Sequence, residues 1–483
     1  MIGSLAPACA ASLDAGGPFS LAFASGATPA LQAPALQAAS EQAATQPQAG
    51  PMLVSTTDVL PADVAPIIDA GSTAWMLASS ALVLLMVPGL ALFYGGMVRR
   101  KNVLTTMAQS FVAMAIIGVQ WILVGYALTF GKSQGGWIGW NWDLVGLHGL
   151  DFHSIYADKG VPEFVFVMFQ GKFAIITPAL ISGAVAERMK FSSYCLFILL
   201  WATFVYCPLA HWVWNPDGWL FKMGVLDFAG GTVVHISAGI SGLVLALMVG
   251  RRRDYRPGLS GEGWAILPHS LPLTLLGAGL LWFGWFGFNA GSAVAIESPV
   301  AGFSAGLAFA TTQTAAAVAA LVWVLIEWRH QGKPTTLGLA SGIVAGLVAI
   351  TPGAGHVKPL HAMIIGAIAS IVCYLAVRLK GRLGYDDSLD AFGVHGVGGL
   401  AGALLTGVFC FTPVAGLLAG DGGKQLWLQF VGAGAGIAVA VLGTLLLGSI
   451  VKLAIGLRAQ DDQERDGLDL SLHGERGYHF EIG

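Results

Sequence analysis

The chain has 483 residues, of which 55% are hydrophobic and only 11% charged, with a mean hydropathy of +0.71. Those values lie far outside the range of soluble domains and exclude a water-soluble enzyme or a disordered protein. A formal net charge of −3 gives no basis for a nucleic-acid partner.

The first 70 residues are rich in Ala, Pro, Gln, Gly and Ser, and the first basic residue of the chain is Arg99. They read as a low-complexity leader or a disordered extracytoplasmic segment, without the basic n-region of a signal peptide. Apolar runs long enough to cross a bilayer, about 20 residues each, then follow at eleven places. They fall near 72–98, 104–130, 163–186, 191–213, 229–250, 268–290, 300–328, 336–352, 360–380, 393–413 and 427–457. The 336–352 segment is short and rich in glycine.

Short cytoplasmic loops carry the excess of Lys and Arg, so basic residues orient these spans. Arg99, Arg100 and Lys101 follow the first span, Arg188 and Lys190 the third, Arg251, Arg252, Arg253 and Arg256 the fifth. Arg329 and Lys333 follow the seventh, Arg378, Lys380 and Arg382 the ninth, and Lys452, Arg458, Arg465 and Arg476 close the chain. That places eighteen of 24 basic residues on one side. The expectation is an all-α integral membrane protein with its amino terminus outside and its carboxyl terminus in the cytoplasm. Five spans per half is an odd number, so the second half must be inverted relative to the first. From Arg458 onward Asp461, Asp462, Glu464, Asp466 and Asp469 make the tail soluble and charged, either a solvated end or a docking and regulatory element.

Chemistry is signalled by two histidines in lipid-depth sequence, where an ionisable side chain is costly and marks a substrate or proton path. His235 and His395 each open the pattern His-x-x-x-Gly-x-x-Gly. Small residues let helices approach closely, which would bring the imidazoles together at a repeat interface. Asp227 precedes His235 by eight residues, roughly 12 Å on one helical face, and serves either at the outer mouth or as a helix N-cap. His395 follows Asp386, Asp387 and Asp390 closely. Mid-depth placement therefore requires a helix that begins before Asp390 or a buried irregular stretch leading in. Metal binding is the competing use of such residues, but no H-E-x-x-H spacing occurs and Cys9, Cys195, Cys207, Cys373 and Cys410 show no C-x-x-C pairing. Neither a metal nor any other cofactor is expected, nor a disulfide framework. Aromatic clusters at Phe169–Phe173, 211–214 and 282–288 are either interfacial belts or a cation–π site.

Taken together, PGLALFYGG (88–96), FAIITP (173–178), GAVAER (183–188), DFAGGTVVH (227–235), GWFGFNAGS (284–292) and DAFGVHG (390–396) closely resemble the ammonium transporter family (Amt/Mep/Rh), in its bacterial form. The resemblance implies eleven transmembrane helices, as two inverted five-helix repeats plus a final helix over 71–457, in a homotrimer of the plasma membrane. It implies an outer ammonium recruitment site at Trp214, Phe173 and Ser292, and a gate of Phe173 and Phe288. Asp227 would support the vestibule, His235 and His395 would be the paired pore histidines, and Phe169, Trp285 and Asp390 would support them. The expected activity is recruitment of NH4+, its deprotonation and passage of NH3, with net charge transfer. An ammonium receptor and a neutral gas channel are the alternatives, and a membrane enzyme is disfavoured. The 458–483 tail resembles the bacterial family tail, implying control by a cytoplasmic PII-type signalling protein. Lys172 departs from the pattern: it would repel the cation if it faced the vestibule, and points about 100° away from Phe173 if it snorkels to the interface.

Overall fold

The computed structural model describes residues 68–156, 160–256, 266–294, 297–298 and 303–479. Most of the expected 1–70 segment lies outside them. Ten helices among the described residues are long and apolar enough to cross a membrane. They are α1 (Ala70–Met97), α2 (Arg100–Phe130), α3 (Glu163–Val185), α4 (Phe191–Met223, interrupted by a turn after Trp214), α5 (Gly231–Val249), α6 (Leu271–Gly291), α7 (Ala305–Gln331), α9 (Pro359–Leu383), α10 (Phe392–Phe409) and α11 (Lys424–Ile455). Between α7 and α9 lies the shorter apolar helix α8 (Thr336–Ile350), at the place of the short glycine-rich span.

Helix α1 runs along α6, and α5 crosses α10. Many of the outward side chains are apolar, among them Leu442, Leu446 and Leu453 on α11. Such a surface suits lipid and not water.

Charge gathers at one end of the bundle, where the basic loops converge on two buried acids, Glu187 and Asp386. Glu187 is fully buried and meets Arg99 at 3.0 Å and Arg252 at 2.9 Å. Arg252 also meets Asp386 at 2.8 Å, and Arg188 donates to the backbone of Gly250 and Asp386. Burial alone would raise the Glu187 carboxyl, but the two guanidinium groups outweigh it and hold it down at about 2.

The tail docks on this end. Residue 458 bridges to Met189, and the Ala459 amide donates to the Arg188 carbonyl. The short helix α12 (Asp461–Asp466) presents Glu464 to Arg458 and to the Arg253 amide. Beyond it, the Leu468 amide donates to Asn102, and the Asp469 carboxylate accepts from the amides of Leu104 and Thr105, capping the first turn of α2.

Candidate functional site

Both histidine helices begin in the same unusual way. Residues 225–230 and 385–390 are irregular yet partly or fully buried, and each leads into a π-helical turn, Gly231–Ile236 and Phe392–Gly396. Wide turns of this kind gather at functional sites. Asp227 is therefore not two turns above His235 on one helix, as the spacing suggested. It folds back over the helix start, and its two carboxylate oxygens accept from the amides of Gly230, Gly231, Thr232 and Val233 at 2.5–3.0 Å. Those are the amides that a helix start leaves without intrahelical partners. Burial nevertheless raises the Asp227 carboxyl to about 6, against these four donors.

In the second half the matching carboxylate is Asp387, which accepts from the amides of Ala391 and Phe392 at 3.1 and 2.8 Å. Burial raises it to about 6 as well. Asp390, expected to support the site, adopts a left-handed φ of 61° and turns to Lys380. Sequence reasoning missed Asp387, although a signal was present: it precedes His395 by the same eight residues that separate Asp227 from His235.

The glycines of the repeated motif interlock reciprocally. Gly239 packs against the backbone of Gly396, while a Cβ at Gly399 would lie 3.0 Å from the His235 side chain and 3.0 Å from the Gly231 carbonyl. This close crossing of α5 and α10 puts the two Nδ1 atoms 3.3 Å apart, with the rings 5.3 Å between centroids and 20° from parallel. Two Nδ1 atoms share one proton, so the rings hold opposite tautomers. Among the described residues, the His235 Nε2 atom is buried and has no hydrogen-bond partner.

Above the pair sits a stack of rings. Trp285 lies 5.4 Å from His235 at 20°, fixed by an indole hydrogen bond to Thr351. Phe288 lies 6.0 Å from His235, Phe173 lies 4.2 Å from Phe288, and Phe169 braces Phe173 edge-on at 4.9 Å. Phe173 and Phe288 are 1% and 0% exposed, so they close the path between two cavities. On one side a narrow cavity of about 10 Å³, room for about one water, is lined by apolar residues such as Leu90, Ile176 and Val344, and by both histidines. On the other side an open cavity of about 490 Å³ is lined by Trp214, Phe173, Ser292, Gln170, Asp227 and His356, among others.

In that outer cavity the Trp214 ring meets Phe173 edge-on at 5.8 Å, and its indole N–H donates to the Asp227 carbonyl. Its π-face is thus the part left for a ligand. Ser292 donates its hydroxyl to the Phe288 carbonyl at 2.8 Å, leaving its oxygen as an acceptor. Lys172 is half-buried and is not part of the cavity wall.

A family model described as Ammonium Transporter Family matches residues 74–478. The chain belongs to that family. An ammonium transporter of Aquifex aeolicus is 50% identical over 418 residues, covering 86% of this chain and 94% of that one. One from Bacillus subtilis is 48% identical over 416 residues, covering 84% and 98%. Among solved structures, Mep2 of Saccharomyces cerevisiae superposes with a TM-score of 0.74 at 37% identity, over 83% of this chain and 90% of Mep2. A sensor Amt protein superposes with a TM-score of 0.75 at 31% identity, over 83% and 97%. The family is one of transporters and not of enzymes. Among the described residues no group of three His, Cys, Asp or Glu side chains could hold a metal ion.

Proposed function

We propose that this member of the ammonium transporter family moves ammonium across a plasma membrane as a cation outside and as neutral ammonia within. The observation that carries the reading is the histidine pair, 3.3 Å apart, set beyond a closed phenyl gate in a cavity otherwise walled by apolar side chains. A bare cation in such a place is expensive, whereas NH3 is not.

Recruitment is assigned to the Trp214 face, the Phe173 ring and the Ser292 oxygen. Cation–π attraction there is worth about 2 kcal/mol or more when the ion is desolvated. The Phe173–Phe288 stack then admits the substrate as the ion gives up its proton. The histidines are the relay. A proton arriving on one outer nitrogen, a shift of the shared Nδ1 proton and a release from the other ring carry one charge without carrying NH4+. Trp285 holds the His235 ring flat, and Asp227 acts as a structural acid that fixes the start of α5.

The remaining assignments rest on charge and surface. The end of the bundle where Arg99, Arg188, Arg252 and Arg458 converge is taken as cytoplasmic, which puts the tail inside and the amino terminus outside, with the two five-helix sets inverted. The exposed leucines suit lipid and a homotrimer contact. The unit from 71 to 457 carries transport, and the docked 458–483 tail offers a surface to a PII-type signalling protein. A second reading, ammonium sensing through the tail, is favoured by the likeness to a sensor Amt protein.

The test is charge movement in proteoliposomes after an ammonium pulse, with a His235→Ala/His395→Ala variant alongside. A saturable current lost in the variant supports electrogenic transport through the pair. Internal alkalinisation without current makes the protein a neutral channel, and neither signal favours the sensor.

A further inference from the structure

Three polar side chains of the outer cavity wall, Tyr156, Gln170 and His356, have no role above, and Gln170 shares a helix with the gate ring Phe173. Phe166, Gln170 and Phe173 follow one another on α3 at intervals of four and three residues, and all three line the cavity. That spacing places them on one face of the helix, with Gln170 about 4.5 Å up the axis from the gate ring. Gln170 is 9% exposed, and its Oε1 is buried with no hydrogen-bond partner among the described residues. A buried carbonyl oxygen without a donor is destabilising, so this end of the amide calls for a ligand.

The other acceptors of the cavity are few. The Asp227 carboxylate is spent on four backbone amides, and its backbone carbonyl takes the Trp214 indole. His356 uses one of its two ring nitrogens on the Thr412 backbone. Ser292 retains its oxygen. An ammonium ion leaving water gives up several acceptors at once, and an aromatic face with one hydroxyl replaces only part of them. The amide of Gln170 is placed to supply the next, between the mouth and the phenyl rings. A half-turn of its last side-chain torsion exchanges oxygen for nitrogen, so either end of the group can be presented.

We propose that Gln170 is a direct substrate contact, whose amide oxygen accepts an N–H of ammonium one helical turn above Phe173 and so replaces a water as the ion reaches the gate. This rests on the transport reading given above. The contact would also discriminate. Ammonium presents four N–H groups, whereas methylammonium has three and can turn its methyl toward position 170.

The experiment compares wild type with Gln170→Met, which keeps size and removes the amide, and Gln170→Glu, which restores an acceptor. Both KM and maximal current are measured in proteoliposomes for ammonium and for methylammonium, with thermal melting recorded for each protein. The expected result for Gln170→Met is a KM for ammonium raised about ten- to a hundredfold, the effect of losing one hydrogen bond to a charged group, with a smaller rise for methylammonium. Maximal current and melting stay near wild type, and Gln170→Glu returns KM to the wild-type value or below it. An unchanged KM in Gln170→Met, equal rises for both substrates, or a Glu variant as weak as Met overturns the proposal while leaving transport intact. Absence of ammonium-driven signal in the wild type overturns the transport reading and this contact with it.

Discussion

The starts of α5 and α10 solve one problem with different numbers of bonds. In each, a buried aspartate eight residues before the histidine folds back onto a π-helical turn, but Asp227 satisfies four amides and Asp387 only two. The difference follows from what lies outside each start. The Asp227 loop borders the open outer cavity, and the carboxylate itself takes all four amides. The Asp387 loop lies against Lys380, which donates to the Asp387 carbonyl at 2.8 Å and pairs with Asp390. Holding a histidine at a fixed depth thus takes a capped, buried helix start, and the cap is strongest where the protein opens to a cavity.

Removing the caps gives the largest expected effect. Asp227→Ala strands four buried amides and should cost about 4 kcal/mol, whereas Asp387→Ala strands two and should cost about 2 kcal/mol. Melting temperatures in detergent that fall equally for the two would break the comparison. Next come the interlocking glycines. Gly239→Ala drives a methyl into the Gly396 backbone, which cannot move aside, and should cost about 3 kcal/mol with loss of flux. For Gly399→Ala the contacts open to 3.0–3.1 Å, so about 1 kcal/mol is expected from the same melting assay.

The acidity of the caps sharpens the comparison further. Asp227 is raised from an ordinary 3.8 to about 6, so the folded state holds its proton more tightly than the unfolded chain does. Its contribution is fully present below pH 3.8 and is lost as pH rises through about 6. Glu187 at the other end is lowered from 4.5 to about 2. Its contribution is present above pH 4.5 and is lost as pH falls toward 2. Melting followed from pH 3 to 7 should therefore lose a downward slope above pH 4 in Asp227→Asn, and an acid-side fall in Glu187→Gln. The smallest effect is expected at Lys172. Its side chain lies off the cavity wall, so Lys172→Ala should change the KM for ammonium by less than about twofold, the size of a screened surface charge effect. A larger drop would mean that the ammonium group faces the vestibule.

Much of this was legible in the residues. Apolar runs located the helices because a bilayer demands length and hydrophobicity and little else, and even the short 336–352 segment appears as α8. The repeated His-x-x-x-Gly-x-x-Gly named both histidines and the glycines that pack them. Helix starts were legible only as alternatives, Asp227 as an outer-mouth acid or an N-cap and His395 after an earlier helix start or a buried irregular stretch, because DFAGG and DSLDA look like helical continuation by hydropathy, and only folding back lets a carboxylate reach several amides at once. Asp390 drew attention over Asp387 because it stands nearer His395, yet its left-handed backbone turns it to Lys380. Gln170 lay unnoticed between two phenylalanines.

The sequence by itself determined the membrane class, the span order, the clustering of basic loops and the identity of the two histidines, since each depends on residue type and spacing along one chain. Only the tertiary structure decided that the imidazoles share a proton, that Asp227 is a cap and not a helical neighbour, that Lys172 stands aside while Gln170 faces the cavity, and that the tail docks on the charged end. Those outcomes depend on which elements cross and how closely. That is set by the joint packing of glycines and buried ion pairs hundreds of residues apart, which no local pattern encodes.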